Sequence, residues 1–251
     1  MTLQEFFSQH PKAALAFSGG VDSAYLLWAA KAYGCDVHAY YVHTAFQPAF
    51  ELADARRLAG SVGVPMTIVD ADVLAVDGAR ENGPDRCYHC KRALFSLLRQ
   101  AAEGDGYRLL LDGTNASDDA GDRPGMRALR ELEVRSPLRE CGLTKAEVRR
   151  RSREAGLFTW DKPAYACLAT RVPTGTPITA DLLARVERAE DALFRLGFTD
   201  FRVRLFHGGA RLQVPEGQLG RLLEGREAVL AALRPLFPAV LLDLEDRKSS
   251  D

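Results

Sequence analysis

The chain has 251 residues, 47% of them hydrophobic, and a formal net charge of −1. That is enough apolar material for one large domain or two modest ones, and too little net charge for a field that draws the whole molecule onto nucleic acid. No stretch approaches membrane-spanning length, and the first ten residues lack both a basic n-region and an apolar h-region, so a cytoplasmic protein acting away from membranes is expected.

In chain order, apolar β-rich runs at residues 13–17, 37–42, 66–69 and 109–111 alternate with helical patterns at 24–33, 51–62 and 91–103. This alternation predicts an α/β fold: βαβ units in a parallel sheet with helices on both faces. Each run ends in polar or small residues, namely Ser18, His43-Thr44, Asp70-Ala71-Asp72 and Asp112-Gly113-Thr114-Asn115. Ligands of such sheets bind at the carboxyl ends of the strands, so one rim should gather the chemistry. A helix over 144–156 opens with an apparent Thr144-x-x-Glu147 capping box and carries Arg149, Arg150, Arg151 and Arg153, which read as a solvated basic face. The Pro/Gly/Thr-rich stretch 162–179 reads as an active-site loop leading into a hinge. Beyond it, a helix at 180–196, strands at 201–205 and 210–214 around His207-Gly208-Gly209, a helix at 219–233 and a strand at 240–244 predict a small α+β domain. The expected domains are therefore 1–175 and 176–251.

The sharpest local signal is Ser18-Gly19-Gly20-Val21-Asp22-Ser23, placed between a buried strand and a helix. Glycine allows the backbone to turn sharply, and a helix N-terminus then aims unpaired N–H groups at one point, where an anion belongs. The competing reading is a Ser/Asp-capped helix after a glycine turn. A Walker A loop would place a lysine next to its last glycine, and none stands here, so this is a different nucleotide loop.

Five cysteines are an odd set for a disulfide framework and read as thiols. Cys87 and Cys90, in Asp85-Arg86-Cys87-Tyr88-His89-Cys90-Lys91, suit half a zinc site, a dithiol pair or part of an iron–sulfur site. Zinc would need Cys167 and a histidine, His89 or His43. Cys167 lies in Lys162-Pro163-Ala164-Tyr165-Ala166-Cys167-Leu168-Ala169-Thr170-Arg171. It is either an inert packed thiol or a nucleophile favoured by Arg171 and Lys162. Cys35 and Cys141 read as packing or turn residues.

The glycine hexapeptide resembles the PP-loop of ATP pyrophosphatases. Taken together and in order, residues 18–23, 86–95, 112–115, 118–127, 136–138 and 162–171 resemble the LarE family of ATP-dependent sulfur transferases, with the match spanning 13–190. The resemblance implies an adenine nucleotide α-hydrolase-like domain. It also implies a nucleotide substrate, pyridinium-3,5-biscarboxylic acid mononucleotide, whose carboxylates are adenylated by ATP with release of pyrophosphate and then converted to thiocarboxylates for the nickel-pincer nucleotide of lactate racemase. Mg2+ would act with Ser18, Gly19, Gly20, Asp22 and Ser23. Gly113, Thr114, Asn115, Asp118, Asp119, Asp122, Arg123 and Arg171 would line the nucleotide or the activated substrate.

Two sulfur sources are implied by the resemblance. In one, Cys167 gives up its own sulfur; in the other, Cys87, Cys90 and Cys167 hold a [4Fe-4S] cluster with an open iron, fed by a sulfide donor. All three thiols are present, which favours the cluster, and Cys167 is the catalytic residue in either route. A homo-oligomer is also implied. In the C-terminal region Glu187 or Glu190, and Arg202 or Arg204, match positions that bind phosphate or metal, while Gln213 stands where a glutamate is expected. Rival readings are a tRNA thiolase, which should carry a basic RNA surface, and an ammonia-using amidoligase, which has no use for three cysteines. A non-enzymatic nucleotide sensor would release no pyrophosphate.

Overall fold

The structure is a computed structural model that describes residues 1–118, 124–245 and 247. Helix α1 (Leu3–Gln9) leads into β1 (Lys12–Ala16), α2 (Val21–Ala32), β2 (Asp36–His43), α3 (Ala49–Val62) and β3 (Met66–Asp70). A single helical turn, α4 (Asp77–Arg80), precedes α5 (Arg86–Gly104), β4 (Leu110–Leu111), α6 (Pro124–Glu131), α7 (Pro137–Glu140) and α8 (Lys145–Glu154). The chain forms two units: Met1–Ala79 with Asp85–Lys162, and Arg80–Pro84 with Pro163–Asp251.

In the first unit the four strands are parallel and ordered β3-β2-β1-β4. β1 is central and reads as an unbroken apolar run because both its faces are covered. Successive side chains leave a strand on opposite faces, and the core follows that period. Ala13, Leu15 and Phe17 join Val37, Ala39 and Tyr41 beneath residues of α1, α2 and α3, while Ala14 joins Tyr40, Val42 and Leu110 beneath Leu98 and Ala102 of α5. Helices thus cover both faces, as the alternation predicts. The chain runs outward from β1 through β2 to β3 and then returns to the other side of β1. The strand order therefore reverses between β1 and β4, and the crevice at their carboxyl ends is where ligands of open parallel sheets bind.

Some boundaries differ from the periodicity. α2 begins at Val21 rather than 24, because Gly20 itself is its N-cap. α1, which periodicity leaves unassigned, is set by a full capping box between Thr2 and Glu5 and buries Leu3, Phe6 and Phe7.

The second unit contains α9 (Ala180–Arg195), β5 (Arg202–Phe206), β6 (Gly209–Gln213), α10 (Glu216–Glu224), α11 (Arg226–Leu233) and β7 (Val240–Leu242). β5 and β6 form an antiparallel hairpin, and β7 adds in parallel to β6. The hairpin turns through His207 and Gly208, both at positive φ, which matches the twist of the flanking strands. The helical pattern at 219–233 is broken in two by Gly225, which ends α10 and begins α11. Glycine has no side chain to hold a helical turn, so the chain bends there. Asn82 ties residues 80–84 into this unit: buried, at φ +58°, it donates to the carbonyls of Pro173 at 2.9 Å and Thr176 at 3.0 Å. No described helix is long and apolar enough to cross a membrane.

Candidate active site

The turn after β1 has the geometry its residues require. Gly19 sits at φ +73°, and a Cβ there would lie 3.1 Å from Ala55 Cβ and 3.2 Å from Ala55 backbone atoms. Only glycine lets α3 pack this closely on the loop. Gly20 caps α2 without a side chain, so the Ser/Asp-capped alternative is not the one adopted. The first-turn N–H groups of α2 and the positive end of its dipole are left for an anion. Ser18 and Ser23 bring their hydroxyls within 3.1 Å of each other, and the buried Ser23 donates to the Gly20 carbonyl at 3.2 Å.

β4 delivers the second wall. A Cβ on Gly113 would stand 2.8 Å from the Ser23 backbone nitrogen, so this glycine is required by close approach of two backbones. Gly113→Ala should push the start of α2 away, costing about 1–3 kcal/mol of stability; an unchanged midpoint of thermal denaturation would contradict this close approach. Asn115 donates to Asp22 Oδ1 at 3.2 Å, and is itself held by Asp118, which accepts from its backbone N–H at 2.8 Å. The Thr114 hydroxyl donates to buried Asp112, which also accepts from Ser136 Oγ at 2.6 Å. Thr114 thus shapes the β4 turn from within. At the far side of the rim, His43 Nδ1 lies 2.9 Å from Asp70 Oδ1.

Asp22 is the electrostatic centre of this crevice. Its Oδ2 accepts from Lys145 Nζ at 2.5 Å. Burial pushes its carboxyl above the usual carboxylate range, Lys145 opposes that rise, and the neighbouring Asp118 adds to it. Sequence reasoning missed Lys145, which stands inside the segment read only as a helix start. There, Thr144 Oγ1 does accept from the Glu147 N–H at 3.3 Å, but the Glu147 carboxylate turns to Arg150 and Arg151 at 2.7 and 2.6 Å. Nor is the basic run simply a solvated face. Arg149 donates to the carbonyls of Trp160 and Lys162 at 2.9 and 3.1 Å, and Lys162 pairs with Asp54 at 2.7 Å.

Cys87 and Cys90 lie three residues apart at the start of α5, one exposed and one half-buried, and Arg86 Nη2 lies 3.8 Å from the Cys87 sulfur. Their turn is fixed from two sides. A Cβ on Gly78 would meet the His89 ring at 2.4 Å, while Tyr88 donates to Glu131 at 2.7 Å and lies under the Arg127 guanidinium at 3.9 Å. No disulfide joins any of the five cysteines. Cys35 is buried against the His10 carbonyl at 3.4 Å, and Cys141 ends α7, the packing and turn roles expected of them. Among the described residues no group of three or more His, Cys, Asp or Glu forms a metal-holding cluster. Arg123, with Asp119 and Asp122, lies outside the described residues.

In the second unit the Cys167 loop is held by its backbone. Cys167, half-buried, precedes a 3-10 turn at Leu168–Arg171. Arg171 donates to the carbonyls of Ala166 and Cys167 at 2.6 and 3.2 Å, Arg202 to that of Ala164 at 2.6 Å, and Arg204 to that of Thr170 at 2.6 Å. Three guanidinium groups thus fix the chain on both sides of the thiol. Arg171 and Glu190 form a salt bridge at 2.9 Å with side chains 0% and 1% exposed, and Glu190 also accepts from Tyr165 and from the Val203 N–H. Arg171, expected on the nucleotide, therefore works from inside the unit on the loop that carries Cys167. Burial, with Arg171 and Arg247 close by, draws Arg202 down to about 10. Gln213, standing where a glutamate is expected, accepts from Arg204 Nε at 2.6 Å and donates to Asp243 at 2.8 Å, a pair of bonds that an ionised glutamate, which only accepts, cannot make.

Residues 12–80 match the family described as queuosine biosynthesis protein QueC. The chain is 38% identical to an uncharacterized protein of Synechocystis sp. over 98% of this chain and 94% of that protein. It is 35% identical to the pyridinium-3,5-bisthiocarboxylic acid mononucleotide synthase of Lactiplantibacillus plantarum, over 93% of this chain and 86% of the synthase. An uncharacterized protein of Methanocaldococcus jannaschii is 27% identical over 98% of this chain and 94% of its own length.

Proposed function

The chain belongs to the pyridinium-3,5-bisthiocarboxylic acid mononucleotide synthase family, the LarE enzymes, and from that membership we propose that it adenylates the carboxylates of pyridinium-3,5-biscarboxylic acid mononucleotide and replaces their oxygen by sulfur. The observation that carries the first half-reaction is the start of α2 after Ser18-Gly19-Gly20, which no side chain caps, with Asp22 in its first turn, at the crevice between β1 and β4. A substrate carboxylate oxygen attacks the α-phosphorus of ATP, the bond to the bridging oxygen of the β-phosphate breaks, and pyrophosphate leaves. The N–H groups of the α2 start and the Ser18 and Ser23 hydroxyls bind phosphate oxygens, so their contribution is positioning and charge stabilisation rather than covalent chemistry. Asp22, with Asp118 beside it, supplies the hard oxygen donors that Mg2+ takes, and a bound Mg2+ would neutralise phosphate charge. The wall formed by Gly113, Thr114 and Asn115 faces the nucleotide, and Arg123 is assigned to the same ligand.

Adenylation matters because oxide is an impossible leaving group and AMP is a good one. In the second half-reaction a sulfur nucleophile attacks the acyl carbon and AMP departs with the electron pair of the broken C–O bond. The thiolates of Cys87, Cys90 and Cys167 fit an iron–sulfur cluster in chemical kind, and we assign them as its ligands. A bound [4Fe-4S] cluster would supply the transferred sulfide. The start of α5 supports that choice, since it carries two thiols three residues apart. In the alternative route, Cys167 itself forms the thioester and loses its sulfur by β-elimination. The Arg171, Arg202 and Arg204 contacts hold the Cys167 loop in place for either route. This reading carries a homo-oligomeric cytoplasmic enzyme and, for repeated turnover, a sulfide donor.

Pyrophosphate release is the direct test. It should require ATP and the biscarboxylated pyridinium mononucleotide together. Release that instead depends on tRNA or on ammonia would replace this reading by a tRNA thiolase or an amidoligase, and no release with any acceptor would leave a nucleotide-binding protein.

A further inference from the structure

The loop of residues 162–171 carries one aromatic side chain, Tyr165, two residues before the Cys167 thiol. The Arg171 guanidinium lies 4.4 Å and the Arg202 guanidinium 5.1 Å from the centre of its ring. At such distances a cation is drawn to an aromatic face, and the attraction grows where water is excluded, as it is around these two arginine side chains, 0% and 5% exposed. The same arginines hold the backbone on either side of the ring: Arg202 donates to the carbonyl of Ala164, and Arg171 to those of Ala166 and Cys167.

Glu190 pairs with Arg171, while Asp200, 3.9 Å from Arg202, is also paired with Arg247 at 2.6 Å. These two carboxylates face three guanidinium groups, and burial, Arg171 and Arg247 all disfavour the charge on Arg202. A further negative surface therefore stabilises the set, and the π-face of Tyr165 supplies it from within the loop whose carbonyls the arginines reach. The Tyr165 hydroxyl donates to Glu190, but that carboxylate also accepts from Arg171 Nε at 2.9 Å, from Arg171 Nη2 at 3.0 Å and from the Val203 N–H at 2.9 Å. Losing the hydroxyl leaves Glu190 satisfied; losing the ring leaves two cations without the face they share.

Resting on the sulfur-transfer reading above, we propose that Tyr165 is a positioning residue for Cys167 that acts through its ring: the π-face holds the Arg171 and Arg202 guanidinium groups against the carbonyls of Ala164, Ala166 and Cys167, and so sets where the thiol is presented. The phosphate loop belongs to the other unit and has no part in this role.

The test compares the full wild-type chain with Tyr165→Phe, Tyr165→Leu and a chain carrying pentafluorophenylalanine at position 165, which keeps the shape of phenylalanine and inverts the charge distribution of its ring. Two quantities are read: the rate of thiocarboxylate formation, and the rate at which iodoacetamide alkylates Cys167 in iron-free protein, followed by peptide mass. Tyr165→Phe should stay within about threefold of the wild type in both, since the ring remains. Tyr165→Leu and the pentafluorophenylalanine chain should form thiocarboxylate about tenfold more slowly or worse, through kcat and not through the KM for ATP. In both, the loosened loop should raise alkylation of Cys167 by about threefold or more. Should Tyr165→Leu not fold, the comparison of the two phenylalanine rings still decides, because packing alone does not tell them apart. A pentafluorophenylalanine chain equal to Tyr165→Phe in both quantities would overturn this proposal and leave the sulfur-transfer reading standing. Wild-type protein that forms no thiocarboxylate would overturn that reading and the proposal with it.

Discussion

Asp22→Ala is expected to lower substrate-dependent pyrophosphate release by about 10³-fold or more, with the α/β unit still folded. The magnitude follows from where charge develops: removing one preorganised electrostatic partner from an active site costs about 10²–10³ in rate, and Asp22 is linked to two others. Asn115 and Lys145 both direct their side chains to its carboxylate, so its loss also releases the β4 wall and leaves a half-buried ammonium without its partner. Asp22→Asn separates these effects, since the amide keeps the shape and the Asn115 contact but not the charge. Both variants should lose pyrophosphate release, with Asp22→Asn the more heat-stable of the two. Release at the wild-type rate by either would show that the loop between β1 and α2 is not the phosphate site.

Cys167→Ala should stop thiocarboxylate formation altogether and leave pyrophosphate release within about threefold of the wild type. The two half-reactions separate because the thiol belongs to the second unit and the phosphate loop to the first. Little structural damage accompanies the change, because the loop is held through the backbone carbonyls of Ala164, Ala166, Cys167 and Thr170 and not through the sulfur. Cys87→Ala and Cys90→Ala then distinguish the routes: loss of repeated transfer points to a cluster, whereas full transfer of one sulfur per chain points to Cys167 as donor. Product at the wild-type rate from Cys167→Ala would contradict both.

What could be read in the sequence was what local chemistry determines. Ser18-Gly19-Gly20 signals a tight turn, and the positive φ of Gly19 and its contact with Ala55 require the glycine there. β1 announces itself because Ala13, Ala14 and Leu15 are buried on both faces of the sheet. The Thr2 and Glu5 box of α1 is a signal of the same local kind as the Thr144 cap, although periodicity alone passes over it. Tertiary partners were not legible. Lys145 meets Asp22 across a separation of 123 residues, and nothing near Lys145 marks it as more than the opening of a helix. Arg171 looks like a ligand-binding arginine until Glu190, one element later, is seen to bury it. Gln213 looks like a lost glutamate until Arg204 and Asp243 appear on either side of its amide. In each case the side chain's role depends on a partner that only folding brings near.

The most direct measurement is anaerobic turnover of the full-length protein with ATP, Mg2+, a sulfide source and pyridinium-3,5-biscarboxylic acid mononucleotide, read by mass spectrometry of the nucleotide and of the intact protein. The account predicts more than one thiocarboxylate formed per chain, one pyrophosphate per sulfur transferred, and a protein of unchanged mass. A protein lighter by one hydrogen sulfide at Cys167 would replace the cluster by the sacrificial route. Pyrophosphate release with no sulfur in the nucleotide would contradict the central claim.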